Sequence, residues 1–167
     1  MKKLSPIPTF TSSLRIVALP LFVILFIQGN LAACLGLLAF CAATDFLDGY
    51  LARKMKATSR FGAYYDATTD FILMFGIFAF FYFVGDYPIW LLVLIAAAFI
   101  QFIATSFYSK KLYDPVGRYI GSALYIGVVL TLLWPIQAVF AFVQYAFVGF
   151  FLISIVSRIA SLSKKRV

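Results

Sequence analysis

Neither histidine nor glutamate occurs in this 167-residue chain, and charged residues of all kinds make up only 12% of it. Without histidine there is no imidazole proton relay, no histidine-based triad and no zinc site built on imidazole. Acid, base or ligand chemistry therefore has to run on aspartate, of which there are six. Cysteine is almost as scarce. Cys34 and Cys41 stand seven apart within an apolar run, a spacing that fits no metal or redox motif and reads as small buried hydrophobes. What the chain has in quantity is apolar surface, 64% of its residues, with a mean hydropathy of +1.01. Soluble domains are roughly half apolar and a quarter charged, so both values move in the direction that lipid solvation demands. A cytosolic enzyme, a disordered tail and a secreted disulfide scaffold are excluded, and the expected fold is an all-α integral membrane protein.

Crossing a hydrocarbon core takes ~20 helical residues, and six apolar runs lie near that length. They cover about Thr11 to Gln28, Leu31 to Gly49, Gly62 to Val84, Pro88 to Tyr108, Gly117 to Trp134 and Ile136 to Leu162. Cytoplasmic loops collect Lys and Arg, and here the separation is complete. Lys2, Lys3 and Arg15 precede or open the first run, while Arg53, Lys54, Lys56 and Arg60 fill the link between the second and third. Lys110, Lys111 and Arg118 fill the next such link, and Arg158, Lys164, Lys165 and Arg166 close the chain. All 14 bases thus fall on one side, whereas Gln28-Gly29-Asn30, Gly85-Asp86-Tyr87 and Trp134-Pro135 hold none. Trp90 and Trp134 sit beside those turns as interfacial anchors.

The expected architecture is a six-transmembrane-helix bundle with both termini cytoplasmic, one domain over residues 1–167, in the cytoplasmic membrane. Residues 1 to 13, with Pro6 and Pro8, admit either a short N-terminal interfacial helix or a disordered tail. No cleavable leader is expected, because the first apolar run lacks a small-residue cleavage pattern.

Four of the six aspartates lie within DFLDGYLARKMKATSRFGAYYDATTD, at Asp45, Asp48, Asp66 and Asp70. Asp45 and Asp48 are spaced i, i+3 at the cytoplasmic end of the second run, and Asp66 and Asp70 are spaced i, i+4 at the start of the third. Each pair shares a helical face. A short link joins two antiparallel neighbours, so the faces can meet at one depth and gather four carboxylates inside the cytoplasmic boundary. Like charges at close range oppose one another's ionisation, and a divalent cation removes the conflict. Oxygen ligands with no His or Cys beside them select hard ions such as Mg2+, Mn2+ or Ca2+. Four carboxylates suffice for two ions, the arrangement used for displacement at phosphorus. Pairing of the acids with Arg53, Lys54, Lys56 or Arg60 for assembly is the competing structural reading. Asp86 and Asp114 lie in turns and are read as turn chemistry.

Written with its spacings the stretch is D-x2-D-G-x2-A-R-x8-G-x3-D-x3-D, on Asp45, Asp48, Gly49, Ala52, Arg53, Gly62, Asp66 and Asp70. This resembles the signature of the CDP-alcohol phosphatidyltransferases, with every fixed position present. The resemblance implies phospholipid biosynthesis: transfer of a phosphatidyl-type group from a CDP-linked lipid to a small polar alcohol, releasing CMP, with two divalent cations, Mg2+ or Mn2+. It further implies that Asp45, Asp48, Asp66 and Asp70 are metal ligands and that Asp70 also accepts the proton of the incoming hydroxyl. A ligated carboxylate is a weakened base, so metal acidification of the alcohol must assist it. Asp48, Gly49, Ala52, Arg53, Ser59 and Gly62 correspond to CDP contacts. Gly49 and Gly62 would let the nucleotide approach, or are plain helix breaks. The run from Pro8 to Arg15 is similar to a degraded form of the family's P-N-x2-T-x2-R, with Thr9 for asparagine and Ser12 for threonine.

Lys110, Arg118 and Arg158 are the candidate acceptor-binding residues, similar in setting to the cationic pocket of members that use inositol phosphate. Glycerol phosphate, serine and inositol stay open as acceptors, and acyl and isoprenoid donors are both admitted. Membrane lipids are expected partners and no nucleic acid is involved; the resemblance further implies a homodimer, for which Ala96, Ala97 and Ala98 form a small-residue patch although no GxxxG seam marks the interface. Two rival readings remain. An ion or proton transporter using intramembrane aspartates predicts acids spread through the membrane depth, and a noncatalytic assembly subunit predicts no need for metal.

Overall fold

Each of the six apolar runs forms a helix in the structure, a computed structural model. It describes the backbone of residues 7–54, 60–109 and 117–163, and the side chains of 14–47, 54, 62, 64–104 and 119–157. The helices are α1 (Ile7–Ile27), α2 (Leu31–Lys54), α3 (Arg60–Val84), α4 (Ile89–Ser109), α5 (Gly117–Leu133) and α6 (Gln137–Ser163). No strand occurs among the described residues. Two segments, Tyr64–Val84 and Gln137–Ser157, are long and apolar enough to cross a membrane. Leu14–Ile27, Leu31–Leu47, Ile89–Ala104 and Tyr119–Leu133 are shorter apolar stretches. One compact unit ends at Ile77 and a second begins at Phe78, within α3.

Two boundaries differ from the sequence expectation. α1 starts at Ile7 and runs on unbroken, so from Ile7 onward the chain is helical and continuous with the first apolar run and is not a disordered tail. Pro8 falls in its first turn, where a missing N–H removes no helical hydrogen bond. The second correction concerns the glycines. α2 continues through Gly49 to Lys54, and α3 already includes Gly62. A helical glycine costs only about 1 kcal/mol relative to alanine, which a continuing hydrogen-bond ladder outweighs. Neither glycine is a helix break, and the link between α2 and α3 shrinks to residues 55–59.

The turn after α1 shows how a short sequence sets the helix geometry. Asn30 N–H donates to Leu25 O at 3.0 Å and Gly29 N–H to Phe26 O at 2.9 Å, with Gly29 at φ 72°. This pair of bonds closes a helix through a left-handed residue that only glycine adopts without strain. Asn30 then caps the next helix, its side-chain oxygen accepting from Ala33 N–H at 3.1 Å. α3 ends the same way: Gly85 at φ 96° donates to Tyr82 O at 3.0 Å and Asp86 N–H to Phe81 O at 3.0 Å. Asp86 is thus a turn residue, and burial pushes its carboxyl above the usual carboxylate range.

In the first unit Ala18 and Phe22 of α1, Cys34, Leu38 and Cys41 of α2, and Leu73, Met74 and Ile77 of α3 are buried. A Cβ placed on Gly76 would overlap the Leu19 side chain, with Cγ at 3.1 Å, whereas one on Gly36 would meet nothing within 4 Å. Gly76→Val should therefore destabilise the unit by about 1–3 kcal/mol through overpacking. Thermal unfolding in detergent should register that loss, with Gly36→Val nearly silent; equal shifts would refute the close approach.

In the second unit Tyr87 is buried beside Phe78, Phe81 and Phe140, and its hydroxyl shares a 2.6 Å hydrogen bond with Thr131 Oγ1. Burial pushes this phenol up to about 12, so it remains protonated. The unit also holds a cavity of ≈ 220 Å³ between residues such as Leu91, Ile95, Leu124, Val143 and Phe147. Its lining has no ionisable side chain, so the chemistry has to be sought elsewhere.

Candidate active site

In the first unit the buried stripe of each helix runs into a charge. On α1 it passes from Phe22 through Ala18 to Arg15, and on α2 from Cys34 through Leu38 and Cys41 to Asp45. On α3 it passes from Ile77 through Met74 and Leu73 to Asp70, Thr69 and Asp66. Steps of three and four keep such residues on one helical face, so the packing of the apolar positions carries the charged ones together.

Arg15 is the point where they meet. Its Nη2 lies 2.6 Å from Asp45 Oδ1, and its Nη1 lies 2.8 Å from Oδ1 of both Asp66 and Asp70. The arginine side chain is only 2% exposed, against 45%, 40% and 33% for the three carboxylates. The guanidinium is therefore a buried floor, and the acids face outward above it. One carboxylate oxygen from each of Asp45, Asp66 and Asp70 falls within 4.8 Å of the others. Three carboxylates against one guanidinium leave two negative charges uncompensated, as much as one divalent ion supplies. An all-oxygen, anionic, partly open donor set fits a hard divalent cation. Asp45, Asp66 and Asp70 would be its ligands.

The hydroxyls around these acids are engaged with their own helices. Thr44 Oγ1 donates to Cys41 O at 2.9 Å, Thr68 Oγ1 to Tyr64 O at 2.8 Å and Thr69 Oγ1 to Asp66 O at 2.9 Å. These bonds fix side chains next to Asp45 and Asp70 without drawing on the carboxylates. Cys41 is buried one turn from Asp45, in keeping with its reading as a small apolar residue.

Of the residues expected from the sequence, Asp45, Asp66 and Asp70 are brought together, and Gly62 stands two turns before Asp70 on α3. Asp48, Gly49, Ala52 and Arg53 lie on α2, where their side chains fall outside the described ones. Because α2 does not break at Gly49, positions 45, 48, 49, 52 and 53 follow the i, i+3, i+4, i+7, i+8 stripe of one helical face. Arg118 opens α5 and Arg158 is near the end of α6, again without described side chains, and Ser59 and Lys110 lie outside the described residues.

Of the bases in and beside the α2–α3 link, Lys54 is exposed, and the side chains of Arg53, Lys56 and Arg60 fall outside the described ones. Among the described residues a base that pairs with the acids is Arg15, 30 residues from Asp45 and 51 from Asp66. The sequence did contain a signal for it. A lone arginine inside an apolar run has to find an anionic partner, and the acids within the runs are Asp45, Asp48, Asp66 and Asp70.

A model of the family described as CDP-alcohol phosphatidyltransferase matches residues 6–160. Among curated proteins, the CDP-diacylglycerol--glycerol-3-phosphate 3-phosphatidyltransferase of Yersinia enterocolitica is 41% identical over 71 residues, covering 41% of this chain and 39% of the relative. The protein of that name from Pseudomonas fluorescens is 38% identical over 71 residues, 41% of this chain and 36% of its own. That from Haemophilus influenzae is 39% identical over 71 residues, 41% and 38%. The match thus spans less than two fifths of the length of each of these relatives. No solved structure matches the chain.

Proposed function

Because the chain belongs to the CDP-alcohol phosphatidyltransferases, we propose that it transfers the phosphatidyl group of a CDP-linked diacylglycerol to glycerol 3-phosphate in phospholipid synthesis. The observation that carries this reading is the convergence of Asp45, Asp66 and Asp70 from two helices, with oxygens within 4.8 Å. The acceptor is taken from the names of the relatives. In the reaction a hydroxyl oxygen of the acceptor attacks the lipid-linked phosphorus, the bond from that phosphorus to the bridging oxygen breaks, and CMP leaves with that oxygen. Asp70, the most enclosed of the three carboxylates yet still one-third exposed, takes the hydroxyl proton. Asp45, Asp66 and Asp70, with Asp48 from the same face of α2, would hold two divalent ions, Mg2+ or Mn2+, which when bound draw charge from the phosphoryl oxygens and acidify the alcohol. Arg53, one turn further along that stripe, is assigned to the nucleotide phosphates, which its planar fork suits. Gly49, Ala52 and Gly62 offer little side-chain bulk where the nucleotide has to approach, and Ser59 contributes a hydroxyl.

The membrane reading has six crossings, both termini and the acids on the cytoplasmic side of the cytoplasmic membrane, and one domain over the whole chain. It is supported by the separation of all 14 bases to one set of links and ends. Large apolar side chains such as Val17, Phe40, Phe83, Ile100, Phe142 and Ile153 are exposed on the helices, as lipid contact requires. A transporter needs acids along the depth of its path, whereas Asp45, Asp66 and Asp70 meet at one level, in the halves of α2 and α3 nearest their link. A homodimer belongs to the same reading, but Ala98 is buried within its own unit, so the seam does not use the whole Ala96–Ala98 patch.

Purified protein supplied with CDP-diacylglycerol, Mg2+ and, in turn, glycerol 3-phosphate, inositol phosphate, serine and inositol should release CMP with glycerol 3-phosphate. Release with inositol phosphate instead would move the acceptor, and no release with any alcohol would refute the enzyme. Lys110, Arg118 and Arg158 are proposed to hold the acceptor phosphate. Losing one charged hydrogen bond should raise the acceptor KM about tenfold or more in Lys110→Ala and Arg158→Ala, with a far smaller change in donor KM. Equal changes in both KM values would remove the pocket.

A further inference from the structure

We propose that Arg15 is the resident counter-ion of the carboxylate cluster, holding α1, α2 and α3 together before the divalent ions enter and opposing their entry. The proposal rests on the metal-dependent reading above and adds a positioning residue to it. The geometry is specific. One guanidinium, 2% exposed, is within 2.8 Å of a carboxylate oxygen from each of Asp45, Asp66 and Asp70. These are residues of two further helices, and Arg15 ties both of them to α1. A buried cation of this kind cannot leave for water as a surface lysine would. Its Nε is buried with no hydrogen-bond partner, so the group is held by the carboxylates alone among the described residues.

Two consequences follow from charge. First, three acids at such separation repel one another, and in the metal-free chain Arg15 is a cation seated to offset this. Second, the compensation it provides is the same compensation that divalent ions provide. A cation already seated beneath the carboxylates lowers their attraction for another and repels it directly. Arg15 and the ions are therefore antagonists in binding and substitutes in stability. The outward exposure of the acids, from 33% to 45%, leaves the side opposite Arg15 open for the exchange.

The test is binding of Mn2+ alone to the full chain in detergent, followed by calorimetry or by the loss of the free-ion EPR signal, with and without CMP, in the wild type, Arg15→Gln and Arg15→Lys. Thermal unfolding is measured at each Mn2+ concentration. Antagonism of the usual size for coupled sites makes Arg15→Gln bind Mn2+ about 5- to 100-fold more tightly than wild type. Its metal-free form should melt at a lower temperature than wild type, and saturating Mn2+ should raise its melting temperature by more than it raises that of the wild type. Arg15→Lys, which keeps the charge, should stay near wild-type affinity. Unchanged or weaker Mn2+ binding in Arg15→Gln would overturn the proposal. So would failure of Arg15→Gln to fold even with Mn2+ present, because the ions would then not substitute for the guanidinium. Absence of Mn2+ binding in the wild type, with or without CMP, would instead remove the metal reading itself and the exchange with it.

Discussion

Asp70→Asn should lose turnover by at least a factor of about 10²–10⁴, the usual contribution of a positioned base. The substitution keeps the shape of the side chain and changes two properties. The amide cannot accept the hydroxyl proton, and it is a poorer ligand for a hard cation than a carboxylate. Folding should survive, because Arg15 keeps its ion pairs to Asp45 and Asp66 and Thr69 keeps its bond to the Asp66 carbonyl. The measurement is CMP release from CDP-diacylglycerol with glycerol 3-phosphate, alongside a melting curve to establish that the variant is folded. Asp86→Asn is the matched control. Asp86 lies in the turn after α3, where its backbone closes the helix, and CMP release should be unaffected. Undiminished release by Asp70→Asn would contradict its assignment as base and leave the metal acidification of the alcohol to carry the step.

The sequence carried most of the helix plan because its signals are local. Six apolar runs, Gly29 and Gly85 as left-handed terminators and Pro135 after α5 need no knowledge of distant contacts. The α2–α3 boundary was misjudged because glycine reads as punctuation, although a single glycine costs less than the ladder it would interrupt. The convergence of Asp45 with Asp66 and Asp70 was legible from spacing and a short link. The partner that holds them was not. Arg15 is joined to Asp45 and Asp66 across 30 and 51 residues, and positive-inside placement already accounted for its charge. Its place inside an apolar run calls for an anionic partner, but charge counting alone does not distinguish a base that marks topology from one that packs inward. Only the register of α1 does so, since it sets Arg15 on the stripe of Ala18 and Phe22.

Removing divalent ions should have an effect as large as losing the base. Arg15 supplies one positive charge to three carboxylates, and Asp48 from the same face of α2 adds a fourth acid to the reading. The proposed reaction brings further anionic oxygens, those of the donor's pyrophosphate, to the same place. Arg15, even with Arg53 assigned to the nucleotide phosphates, cannot balance that sum, so without further cations the donor is repelled from the site that has to act on it. Exhaustive treatment with a chelator should reduce CMP release to background. Addition of Mg2+ or Mn2+ should restore it, because both accept the all-oxygen set in compact octahedral geometry. Ca2+ should bind yet restore little, since its longer bonds and higher coordination number loosen the hold on the phosphoryl oxygens. The melting temperature should fall only modestly on chelation, because Arg15 continues to bridge the three helices. A chain that keeps releasing CMP after metal removal would break the link between the carboxylate cluster and phosphoryl transfer. A chain that unfolds on chelation would show that the ions, rather than Arg15, hold α1, α2 and α3 together.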